Sequence, residues 1–191
     1  MGAVSGQIIA ACNSEPIVSA DVDIIPAAGQ ALTTETVSGG NYNFASLSQQ
    51  AWTIKPSIHG LQNAAIDAVD AQMALDAAVG KVMLNDEGRL AADVTGNGKV
   101  TSTDASLILQ FSMGMITSFP VTAACDSDWV FIPNAADMSG QEIMNPAING
   151  GTCTPGTIVL DPLTGQVDNR NFRAILFGDV NGSWPAGGAT E

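Results

Sequence analysis

The residues best placed to do chemistry lie in one run of twelve, Asp93-Val94-Thr95-Gly96-Asn97-Gly98-Lys99-Val100-Thr101-Ser102-Thr103-Asp104. Oxygen-bearing side chains stand at its first, third, fifth, ninth and twelfth positions, and a glycine stands at the sixth. A hard cation such as Ca²⁺ takes six to eight oxygens, and a loop of twelve residues supplies them only if it turns sharply at its sixth residue. On this spacing Asp93, Thr95 and Asn97 offer side-chain oxygens, Lys99 its backbone carbonyl, Thr101 a direct or water-mediated contact, and Asp104 a bidentate carboxylate. Val100, the apolar eighth residue, is expected to point inward and pair with a partner loop.

Two details narrow the reading. The third residue is Thr where Asp or Asn is usual, which fits a weak site, and the twelfth is Asp rather than the Glu of an EF-hand. The loop then runs directly into Ala105-Ser106-Leu107-Ile108-Leu109-Gln110-Phe111. From Asp93 to Phe111 this pattern resembles the dockerin module, whose repeats are a calcium loop followed by one helix. The resemblance implies a non-catalytic, calcium-dependent module that binds a cohesin-type protein domain. It also implies that the tenth and eleventh loop residues, Ser102 and Thr103, contact that partner.

A dockerin carries two repeats, and Asp70-Ala71 followed by Gly80 echoes Asp104-Ala105 followed by Gly114, a period of 34 residues (104 − 70). Ile66 takes the place of Val100, Met73 that of Leu107 and Leu75 that of Leu109, so the apolar skeleton repeats. The first and third loop positions fall on His59 and Leu61, which cannot replace an aspartate on calcium. The remaining candidate ligands are Asn63, the carbonyl of Ala65, Asp67 and Asp70. Ala68 and Val69 stand where Ser102 and Thr103 do, so the two faces are not equivalent. That favours one recognition face, or helices that brace the rest of the chain.

Near the C-terminus, Phe177-Gly178-Asp179-Val180-Asn181-Gly182 reads like the opening of a dockerin loop, broken off at Ser183-Trp184. Two readings stay open. Either the upstream copy keeps a packing role and the tail is an Asx-type turn, or the tail folds back and Asp179 and Asn181 complete a split calcium site.

The elements that must hold these loops fall into three segments. Residues 1–58 alternate in strand fashion and are cut by turn signals at Cys12-Asn13-Ser14-Glu15-Pro16, Pro26-Ala27-Ala28-Gly29 and Ser38-Gly39-Gly40-Asn41, as in an antiparallel sandwich. The order Val4-Ser5-Gly6-Gln7-Ile8, Pro16-Ile17-Val18 and Gly40-Asn41-Tyr42-Asn43-Phe44 with Leu47 resembles the carboxypeptidase-regulatory-like, transthyretin-type sandwich, over roughly the first third of the chain. That resemblance implies a spacer or adhesive module. Residues 59–118 change to a helical pattern, with Asn85-Asp86-Glu87-Gly88-Arg89-Leu90 separating the two repeats. Leu107, Ile108, Phe111 and Met115 are expected to face Met73, Ala74 and Ala77. After Pro120, residues 119–191 return to strands and turns, at 128–133, 157–160 and 173–177, and need a sheet to join. The fold class expected is therefore α+β: an antiparallel β-sandwich with an inserted or appended helical calcium module, the last segment packing back on the first.

The chain has 191 residues, enough for a real core, and carries 6 Lys plus Arg against 19 Asp plus Glu, a net charge of −13. Such a balance argues against nucleic acid and anionic membranes as partners and makes cations natural company. No cleavable signal and no apolar run long enough to span a membrane is read. A composition rich in small residues and poor in charge reads as a mature or excised segment of a secreted or cell-surface protein. Cys125 and Cys153 bracket a loop-rich stretch and make the better disulfide pair in an oxidising compartment, leaving Cys12 odd; no spacing suits zinc.

No nucleophile has a base beside it, and no GxSxG, HExxH or phosphate-binding loop is present. The remaining acid pair, Asp126 with Asp128 beside Trp129, could serve glycoside hydrolysis only at the right separation. The expectation is thus no enzyme. The rival to the interaction module is a calcium-stiffened carbohydrate-binding or adhesive sandwich that presents Tyr42, Trp52, Trp129 or Trp184 to a polysaccharide.

Overall fold

The computed structural model describes residues 1–60, 62 and 64–185. Among the described residues, twelve strands and four α-helices form an α+β fold. The strands before the helices are β1 (Gly2–Ala10), β2 (Asp21–Pro26), β3 (Leu32–Glu35), β4 (Asn41–Leu47) and β5 (Trp52–Ser57). The helices are α1 (Ala68–Ala78), α2 (Asp86–Ala92), α3 (Ser102–Ser112) and α4 (Pro120–Cys125). There follow β6 (Trp129–Asn134), β7 (Gln141–Met144), β8 (Ala147–Asn149), β9 (Thr152–Thr154), β10 (Thr157–Leu160), β11 (Gln166–Val167) and β12 (Asn171–Leu176).

Period-two alternation sends Val4, Ile8 and Ala10 of β1, Val22 and Ile24 of β2 and Trp52 and Ile54 of β5 to the inside, all buried. Strands from both ends of the chain then share the sheets. One runs β11-β1-β12-β6 with β4 also on β1, the other β3-β2-β5-β10-β7, and β8 and β9 make a separate hairpin. The two larger sheets and the helices contribute to one continuous apolar core, an arrangement compatible with a β-sandwich. The pairing is not purely antiparallel: β1 runs parallel to both β11 and β12. These partners arrive after the whole helical segment, and a long connection lets a strand enter in either direction.

Close approach at one point fixes how β1 meets the returning chain. A Cβ on Gly6 would stand 2.2 Å from the Arg170 carbonyl oxygen and 2.6 Å from the Tyr42 hydroxyl. Only glycine allows that contact, in which the Tyr42 hydroxyl donates to the Arg170 carbonyl and the Arg170 N–H donates to Ser5 O at 3.0 Å.

In the helical segment α1 and α3 pack together through Ala71, Ala74, Ala105 and Ile108, all buried, with Met73, Leu107 and Phe111 half-buried around them. Met115 does not join them. It lies past the end of α3, beyond Gly114 at φ +69°, and is 67% exposed. Asn85-Asp86-Glu87-Gly88-Arg89-Leu90, expected to be a separator, instead opens α2. The Asn85 side chain caps it by accepting from Gly88 N–H at 2.7 Å, and Asp86 and Glu87 sit in its first turn. The segment after Phe119 begins with α4 rather than a strand, with Pro120 at the first turn, where its missing N–H costs nothing. Cys125 and Cys153 form a disulfide.

Candidate metal centre

In residues 93–104, Asp93 and Asp104 are buried, 6% and 0% exposed, and each gathers backbone donors. Thr95 N–H donates to Asp104 Oδ1 (2.9 Å), Asn97 N–H to Asp93 Oδ1 (3.1 Å), Gly98 N–H to Asp93 Oδ2 (2.7 Å) and Thr101 N–H to Asp104 Oδ2 (2.8 Å). The Thr95 hydroxyl donates to Asp93 and the Thr101 hydroxyl to Asp104. Local chemistry explains the coil. Gly96 and Gly98 take φ of +72° and +85°, open to glycine at no steric cost, and Thr101 and Asp104 close a capping box that starts α3. Lys99 N–H donates to the Asn97 side chain at 2.8 Å. Ser102 and Thr103 are exposed on the first turn of α3, as are Ala68 and Val69 on that of α1.

The tail lies against the upstream copy. After β12 the chain turns at Gly178, φ +93°, where a Cβ would meet the Phe119 ring at 2.8 Å; its N–H donates to Ala91 O at 2.8 Å. This brings residues 179–184 beside 65–70, and four bonds there repeat those of the intact loop. Asn181 N–H donates to Asp70 Oδ1 (2.9 Å), Ser183 N–H to Asp179 Oδ1 (2.9 Å), Trp184 N–H to Asp179 Oδ2 (3.1 Å) and Asp67 N–H to Asp70 Oδ2 (2.9 Å). Taken as loop positions these run third to twelfth, fifth to first, sixth to first and ninth to twelfth in both places. Gly96 and Gly182, both fourth, share φ of +72° and +68°. Val94 and Val180, both second, are buried. The tail thus stands as positions one to six of a loop whose positions seven to twelve, residues 65–70, come from the start of the helical segment and lead into α1.

Asn63 and Leu61 lie outside the described residues. The fifth position beside Asp70 is occupied by Ser183, whose hydroxyl donates to the Ala65 carbonyl at 3.1 Å and to Asp179 at 3.3 Å. Sequence reasoning stopped at Asn181 and missed this serine. The legible signal was its spacing, four residues after Asp179, matching Asn97 after Asp93. Asp67 caps α1, accepting from Val69 N–H at 2.6 Å, in a capping box with Asp70. His59 is turned elsewhere, toward Asp126 at 3.9 Å.

In the split arrangement the ionised form of the carboxyls is disfavoured. Burial pushes the Asp70 carboxyl up to about 6 against donation from the Asp67 and Asn181 N–H groups, and Asp179 and Asp67 nearby push the same way as burial. Burial also raises Asp179, opposed by the N–H groups of Ser183 and Trp184. Two carboxylates, neutral side-chain oxygens and a backbone carbonyl are the donor types a hard cation takes; residues 93–104 carry them, and the same types recur around Asp70 and Asp179, where the third acid, Asp67, is engaged as the cap of α1. Among the described residues no group of three or more His, Cys, Asp and Glu is placed to hold a metal.

The other candidates are engaged in packing. Asp128 accepts from Gly60 N–H at 2.6 Å, while Asp126 is the exposed, left-handed residue that ends α4. Tyr42, Trp52, Trp129 and Trp184 are all buried, none more than 5% exposed, so none forms an exposed platform. Trp129 and Trp184 meet edge to face at 5.0 Å, which secures the tail. No helix among the described residues is long and apolar enough to cross a membrane. In comparisons with known proteins, no family model matches the chain and no curated protein matches it.

Proposed function

We propose that this chain is a non-catalytic, secreted calcium-binding module in which a dockerin-like helical segment, 59–118, is set between the β segments 1–58 and 119–191. The observation that carries the reading is the repetition of four carboxylate-capping bonds, position for position, in the intact loop and in the split one. Two loops of different sequence and connectivity share one plan for holding their carboxylates.

In this reading Asp93, Thr95, Asn97, the Lys99 carbonyl, Thr101 and Asp104 hold one Ca²⁺. Asp179, Asn181, Ser183, the Ala65 carbonyl, Asp67 and Asp70 hold a second. The second ion joins stretches 111 residues apart in sequence at the Asn181–Asp70 contact, so it braces the tail against α1. Binding energy becomes folding energy wherever the loop is less ordered without the ion. The exposed Ser102 and Thr103 supply the recognition face for a cohesin-type domain, and the disulfide suits an oxidising compartment.

Calorimetric titration tests the assignment. The double variant Asp179→Ala with Asn181→Ala is expected to bind one ion where the parent binds two. Unchanged stoichiometry refutes the split site, and Asp93→Ala is expected to remove the other ion.

A further inference from the structure

The glycine-rich first half of the 93–104 loop is gripped from two sides by elements that are not part of the loop or its helix. On one side Val121 of α4 donates its N–H to Val94 O at 3.1 Å, and its side chain lies against Gly96, where a Cβ would be 3.3 Å from Val121 Cγ2. On the other side the hairpin of β8 and β9 lies across the loop. Gly151 N–H donates to Gly96 O at 2.8 Å, and Asn149 Oδ1 would stand 2.8 Å from a Cβ on Gly98.

The two grips are covalently joined, because Cys125 ends α4 and Cys153 is the middle residue of β9. Loop, helix, disulfide and hairpin therefore close a ring around Gly96 and Gly98, the residues with most backbone freedom to lose. Ordering backbone costs conformational entropy, so a ring that holds several residues in place before an ion arrives raises affinity through preorganisation. The hairpin is otherwise lightly attached: it is a separate two-stranded sheet, and a pair of strands this small is marginal without support.

Resting on the calcium reading above, we propose that the β8–β9 hairpin, pinned by Cys125–Cys153, is a positioning clamp for the ion in loop 93–104. The disulfide and that ion then strengthen each other reciprocally. The split site, whose described contacts come from Ala65, Asp67, Asp70 and the tail, is independent of the disulfide.

The two sites can be followed separately by NMR during a calcium titration. The Gly98 amide, which donates to Asp93, reports the intact loop, and the Trp184 amide, which donates to Asp179, reports the split one. In Cys125→Ser with Cys153→Ser, the Gly98 transition is expected to need about 10-fold more calcium, an ordinary size for coupled sites, while the Trp184 transition stays put. Asn149→Ala with Ile148→Ser, which keeps the disulfide and loosens the hairpin from the loop, is expected to shift Gly98 in the same direction and serves if the serine variant does not fold. Gly98 transitions unchanged in the folded variants overturn the clamp while leaving the calcium reading intact. A parent protein that binds no calcium overturns both.

Discussion

At the scale of single residues, the carboxyls of the split loop tie the fold to pH. In an unfolded chain Asp70 ionises around its ordinary 3.8, whereas in the fold burial keeps its proton on up to about 6. The folded state therefore binds more protons than the unfolded state between those values. The stabilising effect of this group is complete below about 3.8 and is lost as pH rises through about 6, and Asp179, shifted in the same direction by burial, adds to it. Thermal melts of chelator-treated protein should show this contribution: Asp70→Asn is expected to remove part of the fall in Tm between pH 4 and 7 and to raise Tm at pH 7. A cation at the site favours the ionised form, so calcium affinity at the split loop is expected to weaken as pH falls below about 6. A Trp184 amide titration that is the same at pH 5 and pH 7 would contradict it. Asp67 matters separately: as the cap of α1 its replacement by Ala should cost about 1 kcal/mol even without calcium.

Among the elements, the strands were legible where alternation and turn residues coincided, as in β1, β4 and β12. They were not legible where turn residues themselves form the strand ends. Asn149-Gly150-Gly151 and Thr154-Pro155-Gly156 are turn formers, yet they frame β9, which has only three residues and is held by the Cys125–Cys153 bond and by the Gly151 contact with Gly96. α2 and α4 escaped for a similar reason: at seven and six residues they are too short for an apolar period, and their signals lie in Asn85 and Pro120 rather than in a repeat. The intact loop was readable because all its oxygens are consecutive. The split one was legible only in part: Asp179 and Asn181 read as the opening that the upstream copy lacks, but the break at Ser183-Trp184 hid Ser183 as the fifth position. At this scale the sharpest stability test is Gly6→Ala on β1. Its Cβ cannot fit beside the Arg170 carbonyl, so β1 and the returning chain must separate, with an expected loss of about 1–3 kcal/mol in chemical denaturation. A neutral result would mean that the crossing of β1, β4 and residue 170 is not held as described.

For the whole molecule, interleaving of early and late strands means that neither β segment completes its sheets without the other, and the helical segment lies between them in sequence. The tail then returns past β12 to α1, so an ion at the split loop would tie the last described residues to the first helix. With 19 acidic residues against 6 basic ones, each Ca²⁺ held at the proposed sites would also relieve repulsion in the compact state. At 100 times its Kd one site adds about 2.7 kcal/mol, which for a chain of this size raises Tm by roughly 5–10 °C. Magnesium, which demands a tighter octahedron, is expected to raise it less. The measurement that reaches the central claim most directly is calorimetric titration of chelator-stripped protein with calcium. Two ions per chain are predicted; a flat titration up to millimolar calcium would contradict the account.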